Sequence, residues 1–302
     1  MEKKPLVVVN GLVRKDAIAY LKEHVEVRQW TEKTVMPRET LKEWLVDADG
    51  LWCVRPLDVD GDLVKNAPKL KVIAQAAVGY DNVNIDELTA AGIPYGNTPG
   101  VLNETVAELA FTLIATASRR IIENANFVKD GRWAQRPSNI KGFDLSRRTL
   151  GIIGMGAIGV SISRRARAFG MTVVYHNRNQ RLDDKIHKTT YMELDDLLAT
   201  SDVVCVMAPL TDETYHMCDE AFFKKMKNTA LFVNVGRGPI VDTEALINAL
   251  KTGEIDYAAL DVTDPEPLPV DHPLLDVENC LIVPHIGSYT DRTRYDMSIL
   301  TA

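Results

Sequence analysis

The sequence predicts an α/β protein made of two domains, each built around a doubly wound parallel sheet. Short apolar runs alternate with helical patterns along most of the chain, and this alternation is typical of parallel strands joined by helices. One apolar run, residues 149–153, leads directly into Gly154-Met155-Gly156-Ala157-Ile158-Gly159, the glycine pattern of Rossmann-like domains. The length of 302 residues suits two domains rather than one.

The first domain is predicted to begin with alternating strands and helices. Its strands are the apolar runs 6–9, 25–29, 51–54 and 72–76. Helices are predicted between them at 16–23, 38–47 and 59–66. Residues 92–100 contain three glycines and two prolines, so we expect them to interrupt regular structure and to act as a hinge.

A long helix is predicted next, at residues 103–129, where apolar residues recur at helical spacing. The second domain then contains six predicted parallel strands, at 149–153, 172–175, 203–207, 230–234, 257–260 and 280–283. The helices between them are predicted at 158–169, 192–199, 219–226 and 243–251, and a last helix at 291–300.

The glycine motif predicts where a dinucleotide binds. Gly154 allows the tight turn after the strand, Gly156 lets a pyrophosphate approach the backbone, and Gly159 lets the helix pack closely on the strand. The N–H groups at the start of that helix, including those of Ala157 and Ile158, point at the diphosphate, where the helix dipole also favours negative charge.

The end of the next strand indicates which dinucleotide is bound. NAD-binding domains have an acidic residue there, about 20 residues after the glycines, which holds the ribose 2′-hydroxyl. Residues 176–181 contain no carboxylate, and instead supply Asn177, Arg178 and Arg181. Guanidinium groups bind phosphate oxygens, so NADP(H) is the predicted cofactor. The alternative is NAD(H), with both arginines merely solvated.

Composition excludes several classes of protein. The chain carries 35 Lys and Arg against 42 Asp and Glu, a net charge of −7, which argues against nucleic acid or an anionic membrane as the main partner. No apolar run reaches the length of a membrane span, and the first five residues lead into a strand rather than a signal peptide. The four cysteines are Cys53, Cys205, Cys218 and Cys280. Their spacing is not that of a metal site or of a CxxC pair, so we expect reduced cysteines in a cytoplasmic protein without a metal.

Three residues after successive late strands are the candidates for catalysis. Arg237, Glu266 and His285 each follow a predicted strand in a turn with glycine or proline, at the sheet edge where such folds bind ligands. His285 can donate and accept a proton near neutral pH. Glu266 can hydrogen-bond its other ring nitrogen and raise its pKa, and Arg237 presents a fork suited to a carboxylate and a keto oxygen. Each alone would be an ordinary loop residue.

Six motifs in order resemble those of the D-isomer-specific 2-hydroxyacid dehydrogenase family. They lie at residues 78–82, 97–100, 154–159, 234–238, 264–268 and 284–288. Residues 208–214 and 288–295 are most similar to glyoxylate/hydroxypyruvate reductases and 2-ketogluconate reductases. The resemblance implies NADPH-dependent reduction of glyoxylate, hydroxypyruvate or 2-ketogluconate to the D-2-hydroxy acid, with Arg237 binding substrate, Glu266 supporting the histidine and His285 donating the proton.

The resemblance also implies a domain arrangement. A cofactor domain, residues 99–285, is inserted into a split substrate domain of residues 1–98 and 286–302. Such proteins dimerise through the 103–129 helix and the loop near Trp133, and their last helix continues past the position of Ala302.

Further site residues follow from the same resemblance. Backbone N–H groups of Val78 and Gly79 are expected to bind the substrate carboxylate, and Arg55 is either a substrate contact or a surface residue. The remaining expected cofactor contacts are Pro209, Thr214, Val235, Gly236, Asp261 and Ser288, with Asp261 near the nicotinamide amide.

Two other functions stay open at this point. One is an NAD-dependent dehydrogenase of the 3-phosphoglycerate type, which would normally need the missing acid and a basic patch for the substrate phosphate. The other is a non-catalytic, dinucleotide-sensing protein similar to a corepressor, which the three intact catalytic candidates disfavour.

Overall fold

The computed structural model describes residues 4–54 and 57–302, so Arg55 lies outside the described residues. The chain divides into two compact units. Unit 1 contains the residues up to Leu102 together with Ser288–Ala302, and unit 2 is Asn103–Gly287.

Unit 1 contains a parallel sheet of five strands in the order β2-β1-β3-β4-β5. The strands are β1 Leu6–Val9, β2 Glu26–Gln29, β3 Gly50–Cys53, β4 Val72–Gln75 and β5 Tyr95–Gly96. The helices that follow the first four strands are α1 Lys15–His24, α2 Arg38–Leu45, α3 Gly61–Lys65 and α4 Ile85–Ala90. The four predicted strands are confirmed, and β3, in the middle of the sheet, is buried along its whole length.

Two short elements of unit 1 were not predicted. Strand β5 lies inside the segment expected to lack regular structure, where Tyr95 and Gly96 pair with Ile73 and Ala74 of β4. Two residues carry no periodic signal, so only the neighbouring strand identifies them as part of the sheet. Helix α4 is also short, and Asn84 caps it by accepting a hydrogen bond from the Glu87 N–H at 3.1 Å.

Unit 2 contains seven parallel strands in the order β8-β7-β6-β9-β10-β11-β12. They are β6 Thr149–Ile153, β7 Thr172–His176, β8 Thr190–Tyr191, β9 Val203–Val206, β10 Leu231–Asn234, β11 Tyr257–Leu260 and β12 Cys280–Ile282. All six predicted strands are confirmed. The seventh strand, the two-residue edge strand β8, was not predicted. The order reverses between β6 and β9, which is the point where ligands bind in sheets of this kind.

The helices of unit 2 cover both faces of this sheet. They are α5 Asn103–Ser118, α6 Ile121–Lys129, α7 Ala157–Ala168, α8 Asp184–His187, α9 Leu194–Thr200, α10 Glu220–Lys225 and α11 Thr243–Thr252. Strands β9 and β10 are entirely buried, with Phe222, Phe223 and Phe232 packed together on one face and Ile114, Ile152 and Ile162 on the other. The strands of this sheet therefore run through a continuous apolar core on both faces.

The single long helix predicted at 103–129 is wrong, because the structure has two helices there. The chain breaks between α5 and α6 at Arg120, whose φ of 50° is left-handed. The Arg120 guanidinium donates to Asp256 Oδ2 at 2.9 Å and stacks over the Tyr257 ring at 4.1 Å. The freed Ser118 carbonyl accepts a hydrogen bond from the Phe143 N–H at 2.7 Å. Apolar residues recur at helical spacing on both sides of Arg120, so the sequence pattern does not indicate the break.

The last helix, α12 Asp291–Thr301, belongs to unit 1 and packs against α1. Thr290 caps its start by accepting a hydrogen bond from the Thr293 N–H. Across residues 4–54 and 57–302, no helix combines the length and apolar character needed to span a membrane.

Candidate active site

The glycine turn of unit 2 has the shape that a dinucleotide requires. Gly154 has a φ of +99°, and a Cβ there would lie 2.5 Å from the Ala208 nitrogen. A Cβ on Gly159 would lie 2.8 Å from the Gly154 oxygen, so this glycine allows α7 to approach β6. At Gly156 no described atom lies within 4 Å of the Cβ position, which leaves the backbone open to a ligand.

The N-terminus of α7 provides the matching electrostatics. Gly156 is the N-cap residue, and no described side chain caps the first turn, which contains no acidic residue. The uncapped N–H groups and the positive end of the helix dipole therefore favour an anion in front of Ala157 and Ile158. These features fit the diphosphate of a dinucleotide.

The end of β7 contacts the glycine turn through Met155. Asn177 Oδ1 accepts a hydrogen bond from the Met155 N–H at 2.6 Å, and Arg181 Nη1 donates to the Met155 carbonyl at 2.9 Å. Arg181 also donates from Nε and Nη2 to the two carboxylate oxygens of Asp183, both at 2.7 Å. Its predicted contact with a cofactor phosphate stays a prediction.

Carboxylates do lie near this strand end, although residues 176–181 contain none. Asp183 follows Arg181 by two positions, and the Asp184 carboxylate is hydrogen-bonded to Tyr175 and Gln180. Arg178 is more accessible, with 80% of its side chain exposed and its Nη1 3.4 Å from Glu213 Oε2. The two arginines therefore occupy different environments.

Arg237, Glu266 and His285 follow the adjacent strands β10, β11 and β12 at one edge of the sheet. His285 Nδ1 and Glu266 Oε1 are 2.6 Å apart, a short hydrogen bond that orients the imidazole. Arg237 Nη1 donates to the Gly236 carbonyl at 2.8 Å. Asn234 stabilises this turn, since its amide donates to the Arg237 carbonyl at 2.9 Å and accepts from the Gly236 N–H at 3.0 Å.

The backbone of His285 is held in an unusual conformation. Its φ of 50° is uncommon for a residue other than glycine, and residues in this region cluster at functional sites. The His285 N–H donates to the carbonyl oxygens of Asp261 and Val283 at 2.9 and 3.0 Å. The buried Asp261 carboxylate accepts hydrogen bonds from the N–H groups of Ile286 and Gly287 at 2.6 and 2.9 Å. The loop that carries the histidine is thus fixed on both sides of it.

These contacts shift the pKa values of the pair in opposite directions. The hydrogen bond that His285 makes to Glu266 is the largest influence on the histidine and raises its pKa; the charges of Glu266 and Asp261 act in the same direction, and burial and the Arg237 charge oppose them. Burial works against ionisation of Glu266, but the hydrogen bond and charge of His285, with Arg237, lower the pKa of its carboxyl overall. Burial raises the pKa of Asp261. The pair is therefore arranged as a carboxylate beside a histidine that favours its protonated form.

Comparison with known proteins identifies the family to which this chain is similar. A model described as D-isomer specific 2-hydroxyacid dehydrogenase, NAD binding domain, matches residues 111–287. The chain is 41% identical over 302 residues to a glyoxylate reductase from Korarchaeum cryptofilum, covering 99% of this chain and 91% of that protein. It is 42% identical over 298 residues to glyoxylate/hydroxypyruvate reductase B from Escherichia coli, covering 98% and 92%.

A solved structure agrees with these relatives. The NADPH-dependent glyoxylate/hydroxypyruvate reductase from Sinorhizobium meliloti, in complex with NADP and malonate, superimposes with a TM-score of 0.90 at 30% identity, covering 99% of this chain and 92% of that one. The chain belongs to the D-isomer-specific 2-hydroxyacid dehydrogenase family. Its cofactor is a nicotinamide dinucleotide, and the NAD-binding match falls within unit 2 of this dehydrogenase.

Other predicted cofactor residues of the dehydrogenase have structural partners within unit 2. Thr214 Oγ1 donates to the Pro209 carbonyl and accepts from the Thr211 N–H, both at 2.8 Å, which closes the loop after β9. Val235 and Gly236 are buried directly after β10. Their contacts with the cofactor, and that of Asp261 with the nicotinamide amide, remain predictions.

The predicted residues Val78, Gly79 and Ser288 belong to unit 1 of the dehydrogenase. The Val78 carbonyl accepts a hydrogen bond from the Asn97 amide at 2.9 Å, and the Gly79 carbonyl accepts one from the Gln75 amide at 3.1 Å. These bonds fix the loop after β4. Among the described residues, no group of three or more His, Cys, Asp or Glu side chains is arranged to hold a metal ion.

Two acidic residues beside the arginines were not predicted from the sequence. Asp183 could have been noticed only because it follows Arg181 by two positions. Glu213 contacts Arg178 in the structure but lies 35 residues away in sequence, so no local signal points to it. The role of Asn177 in holding the glycine turn was not predicted either.

We predict that Gly156→Val weakens NADPH and NADH binding by at least tenfold, because the valine side chain enters the space that the ligand needs. The thermal midpoint of unfolding should stay nearly unchanged, because that space contains no described protein atom. Gly154→Val serves as the comparison, and it should lower the midpoint because its side chain meets backbone at a positive φ. Fluorescence titration and thermal unfolding measure the two effects. Undiminished cofactor binding by the Gly156 variant would contradict the assignment.

Proposed function

We propose that this dehydrogenase is an NADPH-preferring reductase that converts a small 2-keto acid, glyoxylate, hydroxypyruvate or 2-ketogluconate, to the D-2-hydroxy acid. The names of the relatives support the first two substrates. The observation that carries the chemistry is the 2.6 Å hydrogen bond between His285 and Glu266, on the loops next to that of Arg237. The third substrate rests on sequence resemblance.

In the proposed mechanism His285 is the general acid. Glu266 occupies Nδ1, so the other ring nitrogen, Nε2, is the one directed to the substrate, and its proton goes to the carbonyl oxygen. Arg237 binds the substrate carboxylate and the adjacent keto oxygen, which polarises the carbonyl. When bound, the nicotinamide supplies the hydride for the carbonyl carbon. The uncapped turn of α7 and the open backbone at Gly156 hold the diphosphate.

The preference for NADPH is supported by the end of β7. Position 177 is an asparagine, so it lacks the charge that would repel a 2′-phosphate, and the exposed Arg178 guanidinium beside it is available for a phosphate. The 3.4 Å contact between Arg178 and Glu213 is between two exposed side chains, and such pairs are weak. A phosphate dianion should therefore displace Glu213 readily.

Assays of glyoxylate, hydroxypyruvate, 2-ketogluconate and pyruvate, each with NADPH and NADH, test this proposal. We expect kcat/KM for NADPH to exceed that for NADH by at least tenfold, about 1.4 kcal/mol. The double variant N177D/R178A should reverse the preference, because the introduced aspartate can still accept the Met155 N–H while its charge repels a 2′-phosphate.

Equal or better use of NADH by the unaltered enzyme would overturn the cofactor assignment. If none of the four keto acids is reduced, a phosphorylated 2-keto acid is assayed as well. Turnover of that compound alone would favour a 3-phosphoglycerate-type enzyme, and binding of NADPH without turnover of any keto acid would favour a dinucleotide sensor.

The proposed acid can be tested by removing it. His285→Ala should lower kcat for keto-acid reduction by about 10²–10⁴-fold, the usual contribution of a positioned acid, while NADPH still binds. Glu266→Gln should be milder, because it removes only the charge that stabilises the imidazolium. Near-normal kcat in the His285 variant, with saturating NADPH, would mean that another group supplies the proton.

The pH profile separates the two roles. Since Glu266 raises the pKa of His285, the protonated acid persists above the ordinary value of about 6.5, and reduction should decline as pH rises through the raised pKa. In Glu266→Gln the decline should begin at lower pH. Identical profiles for the two proteins would contradict a role for Glu266 in tuning the histidine.

We further propose a homodimer formed through α5, α6 and the loop near Trp133. Helix α6 packs against the turn that contains Trp133, and this segment has four large apolar side chains that are 43% to 65% exposed: Ile121, Ile122, Val128 and Trp133. A concentration of exposed apolar side chains in one segment is typical of a surface that a partner covers. Trp133→Arg should shift the enzyme toward monomer in analytical ultracentrifugation. The control Val270→Arg, at an exposed apolar residue elsewhere in unit 2, should not. A monomeric unaltered enzyme would refute the proposal.

A further inference from the structure

We propose that Arg181 and Asp183 are positioning residues for the dinucleotide. In this proposal Asp183 holds Arg181, Arg181 holds the peptide between Met155 and Gly156, and neither residue is a ligand of the 2′-phosphate. The pair then supports binding of NADPH and NADH equally. The proposal rests on the proposed function only in assigning the 2′-phosphate to Arg178.

The contacts at Met155 carry this inference. Arg181 Nη1 donates to the Met155 carbonyl at 2.9 Å, and that carbonyl shares its peptide plane with the Gly156 N–H. Asn177 Oδ1 accepts the Met155 N–H at 2.6 Å, which fixes the preceding peptide. The Met155 side chain is buried in the core of unit 2, so its side chain, its N–H and its carbonyl all have contacts. The peptide that leads into α7 is thereby held in one orientation.

The guanidinium of Arg181 is already engaged. Each of its three nitrogens donates a hydrogen bond, Nη1 to Met155 and the other two to Asp183. Hydrogen bonding to Arg181, and also to His187 at 3.0 Å, lowers the pKa of the Asp183 carboxyl to about 2, so the carboxylate is ionised at neutral pH. Three of the five N–H groups of Arg181 are therefore used, and the ionised Asp183 carboxylate offsets its charge, whereas Arg178 offers an exposed guanidinium whose one contact, with Glu213, is longer at 3.4 Å.

Positioning and phosphate binding differ in their effect on the two cofactors. NADPH and NADH share the diphosphate, so a residue that preorganises the glycine turn contributes the same free energy to both. A ligand of the 2′-phosphate contributes to NADPH alone, and removing it changes the ratio of affinities. The ratio therefore distinguishes the two roles.

The double variant R181A/D183A is the sharpest test, because deleting both members of the pair leaves the net charge unchanged. We expect the dissociation constants of NADPH and NADH, measured by fluorescence titration, each to rise about tenfold, with their ratio changing less than threefold. The loss in turnover should fall on the KM of the cofactor. Arg178→Ala should instead weaken NADPH by at least tenfold and leave NADH nearly unchanged.

Arg14 and Asp16 provide the matched control. They form an Arg–Asp pair with the same spacing in unit 1, at 3.0 Å, and R14A/D16A should leave both cofactor affinities unchanged. If R181A/D183A does not fold, Arg181→Lys keeps the charge but loses the planar fork, and it should weaken both cofactors to a similar, smaller extent.

A loss confined to NADPH would make Arg181 a phosphate ligand and overturn the proposal, as would unchanged binding of both cofactors. An unaltered enzyme that prefers NADH would refute the NADPH preference separately, and a parallel loss of both cofactors in R181A/D183A would still support the positioning role.

Discussion

The geometry of the site depends on the parallel pairing of β10, β11 and β12. Because the strands run the same way in register, with Asn234 opposite Leu260 and Leu260 opposite Ile282, their carboxyl ends meet at one edge of the sheet. Residues about 20 to 30 positions apart in sequence are thereby brought to neighbouring loops. Three short turns then suffice to bring an arginine, a carboxylate and a histidine to that edge, and the rigid, buried strands limit how far those turns can move.

Much of this could be predicted from sequence, because the central strands of a parallel sheet are continuous apolar runs. Each of the six predicted strands of unit 2 is present, and the catalytic candidates follow the strands expected for them. What escaped prediction depends on tertiary contacts. The edge strand β8 has two residues, and the break at Arg120 is stabilised by Asp256 and Tyr257, which lie more than 130 residues away in sequence.

The end of β7 illustrates the same limit at the site. Residues 176–181 contain no carboxylate, as the sequence shows, but carboxylates from outside this segment lie next to it in the structure. The chain turns into α8 immediately afterwards, which brings Asp183 against Arg181 and Asp184 against Tyr175. A basic residue in a cofactor motif therefore cannot be assigned to the ligand from sequence until its own acidic neighbours are known. Here Arg178 and Arg181, three positions apart, have different partners.

Three carboxylates of unit 2 perform distinct tasks because their partners differ. Asp261 accepts two backbone N–H groups and anchors the loop that carries His285; burial raises its pKa, and the two hydrogen bonds oppose that rise. Glu266 accepts a hydrogen bond from His285 Nδ1, and this contact raises the pKa of the imidazole. Asp183 pairs with an arginine at the rim of the turn. A carboxylate at an active site can therefore fix the backbone, tune an acid or restrain a cation, and its hydrogen-bond donors determine which of these it does.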